Sequence, residues 1–285
     1  MIKKVNYVIC TTPRSGSTYF CGVLEKGGIM LEEKNIGPFY EIFKGYKIKS
    51  LYLSNAGVEK NLQKIFDNIR TKKGFSGFKL MKNQLPLINI LLGNREDKFI
   101  LLKMNKNYFP KDTKFIWLIR KNIVRQAISY YLAVESGFWK KERSISVKTP
   151  PILFDKYKIA KYVGKIMADN YSWEKFFRKN KITPLVFYYG DFVSEDKKCL
   201  LSIEDFFGSH LSKSNFKSTL KKQSNSINDL WENKYQRHKF FEYYSFVLEK
   251  NNFVEKFYQM SQVLKIKSKR YASFVKRIKG IFIVK

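Results

Sequence analysis

Cysteines and long apolar runs are both scarce in this sequence. The three cysteines, Cys10, Cys21 and Cys199, are an odd number and share no metal-ligand spacing. They therefore fit free thiols in a reducing compartment. No segment reaches the roughly 18 apolar residues that a membrane span requires, and the apolar stretch near the N-terminus is too short for a signal peptide. The sequence predicts a cytoplasmic protein.

Acidic residues are also few. The chain has 24 aspartates and glutamates against 55 lysines and arginines, a formal net charge of +31. A small anionic ligand does not account for such an excess. A lysine-rich, solvated surface would explain it, and so would attraction to nucleic acid, anionic lipid or acidic glycan. Because the chain has no RNA-binding signature, we expect no nucleic-acid partner.

Linkers rich in glycine or proline are absent, and so are internal repeats. The 285 residues, 44% of them hydrophobic, can form a substantial core. We predict one globular unit, with a main domain over residues 1–240 and a helical basic extension over residues 241–285. From Val263 to Lys285 this extension carries eight lysines and arginines and no acidic residue. Such a helix can lie on an anionic membrane, here the inner membrane surface, or pack on the domain with its charges in water.

Strand patterns alternate with helical patterns along most of the chain. The predicted strands are Val5–Thr11, Gly74–Leu80, Lys114–Arg120 and Ile182–Tyr189, and the predicted helices are Thr18–Lys26, Val58–Arg70, Asn83–Leu92, Asn122–Ser136 and Lys158–Lys179. Asn122 is the expected N-cap of its helix. The alternation predicts an α/β fold of the P-loop type, with three α/β/α layers and a central parallel sheet. Ligands of such sheets bind at the carboxyl ends of the strands.

The segment Thr11–Thr18, TTPRSGST, follows the first strand and lacks the lysine of a nucleotide-binding loop. Against the pattern G-x-x-x-x-G-K-[ST], Thr11 replaces the first glycine and Ser17 replaces the lysine. Arg14 supplies positive charge from another position. Backbone amides at a helix start bind phosphate, and Gly16 allows a close approach. The loop indicates a phosphate ligand without a triphosphate tail, and a purely structural turn is the alternative.

A second anion site is predicted where the third strand ends. Arg120 closes that strand, and Ser129 lies two turns into the next helix. Arginine suits a two-pronged grip on phosphate, although a surface ion pair at a strand end is the alternative. A ligand with phosphates on its 5′ and 3′ sides would need both sites, and 3′-phosphoadenosine-5′-phosphosulfate (PAPS), the sulfate donor, is such a ligand.

Four segments carry a resemblance to a known family. They are TTPRSGSTYFCGVLEKGGI, GFSGFKLMKNQLPLI, FIWLIRKNIVRQAISYYLAVESGFWK and, more loosely, Trp173–Phe192 with Leu220–Tyr235. The chain resembles PAPS-dependent sulfotransferases, in particular the bacterial branch typified by trehalose 2-sulfotransferase. The resemblance spans about Val5 to Tyr235, and its third segment is the most specific. It implies the sulfotransferase fold and activity.

The resemblance also implies roles for individual residues. The 5′-phosphosulfate would lie on Arg14, Ser15, Gly16, Ser17 and Thr18, and the 3′-phosphate on Arg120 and Ser129. Trp139 would line the pocket near donor or acceptor, with core packing as the alternative. Lys79 matches a family lysine on the substrate side, with a structural role as the alternative.

Several glutamates lie near the position that corresponds to the family's catalytic base. The family has a glutamate on the acceptor side, and the corresponding region here is GGIMLEEKNIGPFYEIF. Without gaps the family glutamate falls near Asn35, with Glu32, Glu33 and Glu41 close by. We predict Glu33 as the base, with a solvated loop carboxylate as the alternative. The two histidines lie outside the matching segments. In YYGDF, Gly190 replaces a glutamate that the family usually has.

The resemblance, together with the two anion sites, implies an enzyme that transfers a sulfuryl group from PAPS and releases adenosine 3′,5′-bisphosphate. The resemblance alone implies that the acceptor is a carbohydrate or glycolipid hydroxyl. Arg14 and the loop amides would stabilise the charge on the leaving phosphate. We expect no metal ion, because the donor is already activated. The resemblance adds a homodimer as an expectation. The alternatives are a P-loop nucleotide kinase, which the missing lysine disfavours, and a non-catalytic relative that binds acidic glycans.

Overall fold

Strands and helices alternate along the computed structural model, which describes residues 3–36, 40–41, 58–84, 106–139, 152–193, 197–208 and 226–236. The strands are β1 Val5–Thr11, β2 Phe75–Met81, β3 Lys114–Ile119 and β4 Leu185–Tyr188. The helices are α1 Ser17–Lys26, α2 Glu33–Ile36, α3 Val58–Asn68, α4 Ile123–Ser136, α5 Lys156–Lys179, α6 Tyr189–Val193, α7 Lys197–Phe207 and α8 Ser226–Gln236. Short 3₁₀ turns cover Lys82–Gln84 and Lys106–Tyr108.

The four strands of the described part form one parallel sheet in the order β2-β1-β3-β4. Thr11, the last residue of β1, is in register with Met81 on one side and with Leu118 on the other. Across the sheet, β2 lies on one side of β1, whereas β4 lies beyond β3 on the opposite side. The strand order therefore reverses between β1 and β3, and ligands of such sheets bind at this switch point.

Apolar packing covers both faces of the central strands. All seven residues of β2 are buried, and so are six of the seven in β1, as expected for a parallel sheet between helical layers. Phe20 and Leu24 of α1 and Trp173 and Phe177 of α5 belong to the main core. A second cluster joins α4, α5 and α8 through residues such as Ile128, Val163 and Trp231. The predicted α/β fold with a central parallel sheet is confirmed.

Most predicted elements occur within two residues of their expected bounds. The side chain of Asn122 accepts a hydrogen bond from the backbone N–H of Arg125, so the predicted N-cap is confirmed. Helix α5 begins two residues earlier than predicted, because Asp155 caps it by accepting from the amides of Tyr157 and Lys158. Among the described helices, none is long and apolar enough to cross a membrane.

Strand β4 is shorter than the predicted Ile182–Tyr189. The amide of Ile182 bonds back to the carbonyl of Phe177 and so completes the end of α5. Pro184 has no backbone N–H to donate to a neighbouring strand, and Tyr189 already begins α6. Most of the predicted helix Asn83–Leu92 and all of the predicted extension over 241–285 lie outside the described residues.

Candidate active site

The turn between β1 and α1 has an unusual backbone. Arg14 has φ 62°, and Gly16, the N-cap of α1, has φ 86°. A Cβ on Gly16 would lie 2.0 Å from Cδ2 of Tyr189. Only glycine satisfies both the left-handed backbone and the close approach of this ring. The geometry brings the first amides of α1 to the carboxyl edge of the sheet, where a helix N-terminus favours anions.

Hydrogen bonds from three other elements fix the start of this turn. The Thr11 hydroxyl donates to the carbonyl of Leu118 in β3 at 3.0 Å, so its 2.6 Å contact with Ser15 has the Ser15 hydroxyl as donor. Trp173 of α5 donates its indole N–H to the carbonyl of Thr11. Gln126 of α4, which is fully buried, donates from Nε2 to the Thr12 hydroxyl and to the Pro13 carbonyl at 2.9 and 2.7 Å. The turn is therefore held in one conformation.

The two predicted anion sites meet through Arg14. Its Nε donates to Oγ of Ser129 at 2.9 Å, and its Nη1 donates to the carbonyl of Trp139 at 2.7 Å. The indole of Trp139 is half-buried and packs edge-on to Tyr130, with ring centroids 5.9 Å apart. Arg14, which the resemblance assigns to the 5′-phosphosulfate, thus contacts both Ser129, which it assigns to the 3′-phosphate, and Trp139.

Arg120 points back toward the same turn. Its Nη1 donates to the carbonyl of Arg14 at 3.3 Å, and its guanidinium lies 5.5 Å from the ring centroid of Tyr189. Burial lowers the pKa of Arg120 to about 10, and the positive charges of Arg125 and Arg14 lower it as well. Burial also lowers the pKa of Arg14. Both groups remain protonated at neutral pH, so two cations lie close together at the switch point.

A lysine and a glutamate connect β2 to the start of α1. Lys79 is 1% exposed, donates to the Thr18 hydroxyl at 3.3 Å and forms a salt bridge with Glu41 at 3.3 Å. Glu41 is also buried and accepts a hydrogen bond from Gln84, whose Oε1 accepts from the amide of Met81. The structure therefore brings Lys79, predicted on the substrate side, into contact with Thr18, predicted on the donor side, and places Glu41 beside them.

Glu33 begins α2 and is half-buried. It lies in the neighbourhood of Cys21 on α1. Burial raises the pKa of the Cys21 thiol to about 12; Lys79 opposes this shift, while Glu41, Glu33 and Glu25 add to it. The charges of Glu33 and Glu41 thus both act on Cys21, but it is Glu41 whose contact with Lys79 leads directly to the turn.

Two residues act on the turn in ways that the sequence does not predict, although Gln126 is in register with the segment that resembles the family. Nothing in the sequence shows that Gln126 holds the turn. Tyr189 covers Gly16 and packs under Arg120 and beside Tyr19, with ring centroids 6.4 Å apart. Both residues are distant from the turn in the sequence, and only the tertiary fold brings them into contact with it.

Comparison with known families agrees with this architecture. A sequence model of the family described as Stf0 sulphotransferase matches residues 6–238. The chain belongs to the Stf0 sulphotransferase family. The match covers the four strands except for Val5, the turn after β1 and Arg120, and it supports sulfotransferase activity. No curated protein matches the chain. Within the part of this sulphotransferase that the structure describes, no three His, Cys, Asp or Glu side chains are grouped to hold a metal ion.

Proposed function

We propose that this sulphotransferase transfers a sulfuryl group from PAPS to a hydroxyl of a carbohydrate or glycolipid acceptor and releases adenosine 3′,5′-bisphosphate. The observation that carries the proposal is the linkage of Ser129 to Arg14 and of Arg14 to Arg120. It joins the turn after β1 and the end of β3 into one cationic site at the switch point. A ligand with two separate phosphates fits such a site.

In this proposal the 5′-phosphosulfate lies on the turn. The amides of Ser15, Gly16 and Ser17 contribute at the positive end of α1. The Ser15 hydroxyl is already bonded to Thr11, so Ser15 contributes its backbone. Thr18 accepts from Lys79 and can donate its own hydroxyl hydrogen to the ligand.

The 3′-phosphate lies between Arg120 and Ser129, with Arg14 extending from one phosphate to the other. Arginine gives charge-assisted hydrogen bonds to phosphate oxygens. When the S–O bond to the leaving phosphate breaks, negative charge develops on the 5′-phosphate oxygen. The Arg14 side chain is held by Ser129 and Trp139, and the turn is held by Gln126 and Thr11. Pre-positioned donors of this kind stabilise such charge most effectively.

The base that takes the acceptor proton is a carboxylate beside the turn. The sequence favours Glu33, whereas the contacts favour Glu41, since its salt bridge with Lys79 leads to Thr18. We assign the base to Glu41, with Glu33 as the alternative. Trp139 lines the acceptor side of the pocket in this proposal.

Calorimetric binding of adenosine 3′,5′-bisphosphate in EDTA tests the donor site. We expect Arg120→Ala to weaken binding about a hundredfold, because two charge-assisted hydrogen bonds are lost. Arg178→Ala is the matched control, because Arg178 is exposed and lies in the last turn of α5. Unchanged affinity in Arg120→Ala would contradict the proposal. Tighter binding of magnesium ATP than of the bisphosphate would favour a nucleotide kinase instead.

A further inference from the structure

A polar cluster that the donor site does not use lies between β2, α4 and α5. Nζ of Lys82 forms a salt bridge with Oδ1 of Asp169 at 3.3 Å, and the two side chains are 22% and 11% exposed. Lys165 lies one turn before Asp169 on α5, and its Nζ donates to the hydroxyl of Tyr130 at 2.9 Å. We call Lys82, Asp169, Lys165 and Tyr130 the lysine cluster.

The lysine cluster lies at the same edge of the sheet as the phosphate-binding turn. Lys82 directly follows Met81, which is in register with Thr11, the residue before the turn. On α5, Asp169 is one turn before Trp173, whose indole N–H bonds to the carbonyl of Thr11. Both partners of the Lys82–Asp169 salt bridge are thus beside the start of the turn.

Aromatic rings continue from the lysine cluster to Arg14. The ring of Tyr130 lies 4.7 Å from that of Tyr162 and 5.9 Å from that of Trp139, by centroids. The carbonyl of Trp139 in turn binds Arg14. Flat rings beside a few fixed polar groups are typical of small-molecule sites, and here they connect the cluster to the donor site.

The cluster carries more positive than negative charge. It has two ammonium groups, of Lys82 and Lys165, and one carboxylate, of Asp169. Burial raises the pKa of Asp169, and the charges of Lys82 and Lys165 oppose that shift. An excess cation in a partly buried position is costly unless an anion approaches it. Lys165 is half-buried and Lys82 is 22% exposed, so part of each lysine side chain is exposed at this edge.

We propose that Lys82 and Lys165, beside Asp169 and Tyr130, form a subsite for a negatively charged group on the sugar acceptor, either a carboxylate or a phosphate ester. This inference rests on the proposed function, because it specifies the acceptor of the same site. The acidic group would bind at the lysine cluster, and the sugar ring would extend along Trp139 toward the turn. The enzyme would then prefer acidic sugars over their neutral counterparts.

Ligand-detected NMR titration of the full chain, saturated with adenosine 3′,5′-bisphosphate, tests the subsite. The probes are methyl glucuronide against methyl glucoside for the carboxylate, and glucose 6-phosphate against glucose for the phosphate. We expect at least one acidic probe to bind about tenfold more tightly than its neutral counterpart, as one charge-assisted hydrogen bond from a partly buried lysine can provide. Equal binding within both pairs would overturn the proposal.

Matched lysine variants assign the charge preference to the cluster. Lys82→Gln and Lys165→Gln should each remove most of the preference, whereas Lys161→Gln, at an exposed position one turn before Lys165, should keep it. Lys165→Gln leaves the Lys82–Asp169 salt bridge intact, so its result counts even if Lys82→Gln destabilises the fold. A preference that persists in Lys165→Gln and in any folded Lys82→Gln would overturn the proposal.

Bisphosphate binding in the same samples separates this inference from the function on which it rests. A chain that binds the bisphosphate but does not distinguish acidic from neutral sugars contradicts the subsite alone. A chain that does not bind the bisphosphate contradicts both.

Discussion

Nε of Arg14 donates a hydrogen bond to Oγ of Ser129 at 2.9 Å, across 115 positions of the sequence. This contact joins the turn after β1 to the helix after β3, on the two strands between which the strand order reverses. The donor site that we propose depends on this hydrogen bond, because the bond links the two anion-binding segments to each other.

Energetic coupling between Arg14 and Ser129 is the first prediction. We expect Ser129→Ala to weaken bisphosphate binding about tenfold, because a hydrogen bond to a charged group is lost. In a double-mutant cycle with Arg14→Lys, the two effects should not add. Ser136→Ala on the same helix is the control, since the Ser136 hydroxyl bonds to the nearby carbonyl of Leu132 and amide of Phe138. Additive losses in calorimetry would contradict a shared site.

Gly16 should tolerate no side chain. Gly16→Ala would place a Cβ 2.0 Å from Cδ2 of Tyr189 at φ 86°, and we expect a loss of about 2 kcal/mol or more in unfolding free energy together with loss of bisphosphate binding. Two other glycines separate the cost of the backbone conformation from the cost of the steric overlap. Gly137→Ala, at φ 74° with no atom within 4 Å of its Cβ, measures the backbone cost alone, and Gly190→Ala meets no atom within 4 Å and should be nearly neutral.

Urea denaturation compares the unfolding free energies of these three variants. A loss in Gly16→Ala equal to that in Gly137→Ala would show that the contact with Tyr189 is unimportant. Replacing Tyr189 by Ala in the Gly16→Ala background should recover the part of the loss that comes from the overlap, and leave the part that comes from the backbone.

The features that the sequence predicted correctly are those that depend on interactions between residues close together in the chain. β1, the turn and the N-cap Asn122 depend on apolar runs and on short-range hydrogen bonding, so their patterns are visible within a few residues. Tyr189 over Gly16 and Gln126 on Thr12 and Pro13 depend on how distant elements pack, and no local pattern encodes them.

The same reason applies to the acidic residues near α1. The region around Glu33 and Glu41 has several glutamates and no fixed register in the sequence. The salt bridge of Glu41 with Lys79 distinguishes them only in the folded chain. In β4, by contrast, Pro184 was a local signal for a later strand start.

The identity of the base can be tested with paired carboxamide variants. We expect Glu41→Gln to lower kcat at least about a hundredfold, as is usual when a general base is removed, with little change in bisphosphate affinity. Glu33→Gln should have a small effect, and Glu32→Gln, at an exposed position, is the control. Steady-state kinetics decide between them, because a large kcat loss confined to Glu33→Gln would restore the assignment made from the sequence.

Bisphosphate binding should depend on the protonation of Arg120. Its pKa in the folded chain is about 10, below the ordinary 12.5. Burying the charged form therefore costs stability below pH 10, and that cost falls as the pH rises through the folded pKa. Binding has the opposite dependence, because the ligand needs the charged guanidinium.

We expect affinity to be steady between about pH 7 and 9, above the second phosphate pKa of about 6, and to fall above pH 10. Lysines elsewhere also titrate there, so the informative quantity is the difference between the wild-type chain and Arg120→Ala. Fluorescence titration should show the ratio of their affinities shrinking above pH 10. A constant ratio would contradict a role for the Arg120 charge.

The basic extension gives a separate prediction about membranes. We propose that residues 241–285, with the charge excess of Val263–Lys285, attach the chain to an anionic membrane surface. The full chain should co-sediment with vesicles containing phosphatidylserine, less so at high salt, and a chain ending at Gln262 should not. Equal sedimentation of both chains would contradict attachment through this segment.

Transfer of ³⁵S-labelled sulfate from PAPS to a panel of neutral and acidic sugars and glycolipids is the most direct test of the central claim. We predict a labelled acceptor and an equal amount of released adenosine 3′,5′-bisphosphate, with the rate reduced at least about a hundredfold in Arg14→Ala and Arg120→Ala. Release of the bisphosphate without any labelled acceptor, or transfer that is unaffected in both variants, would contradict it.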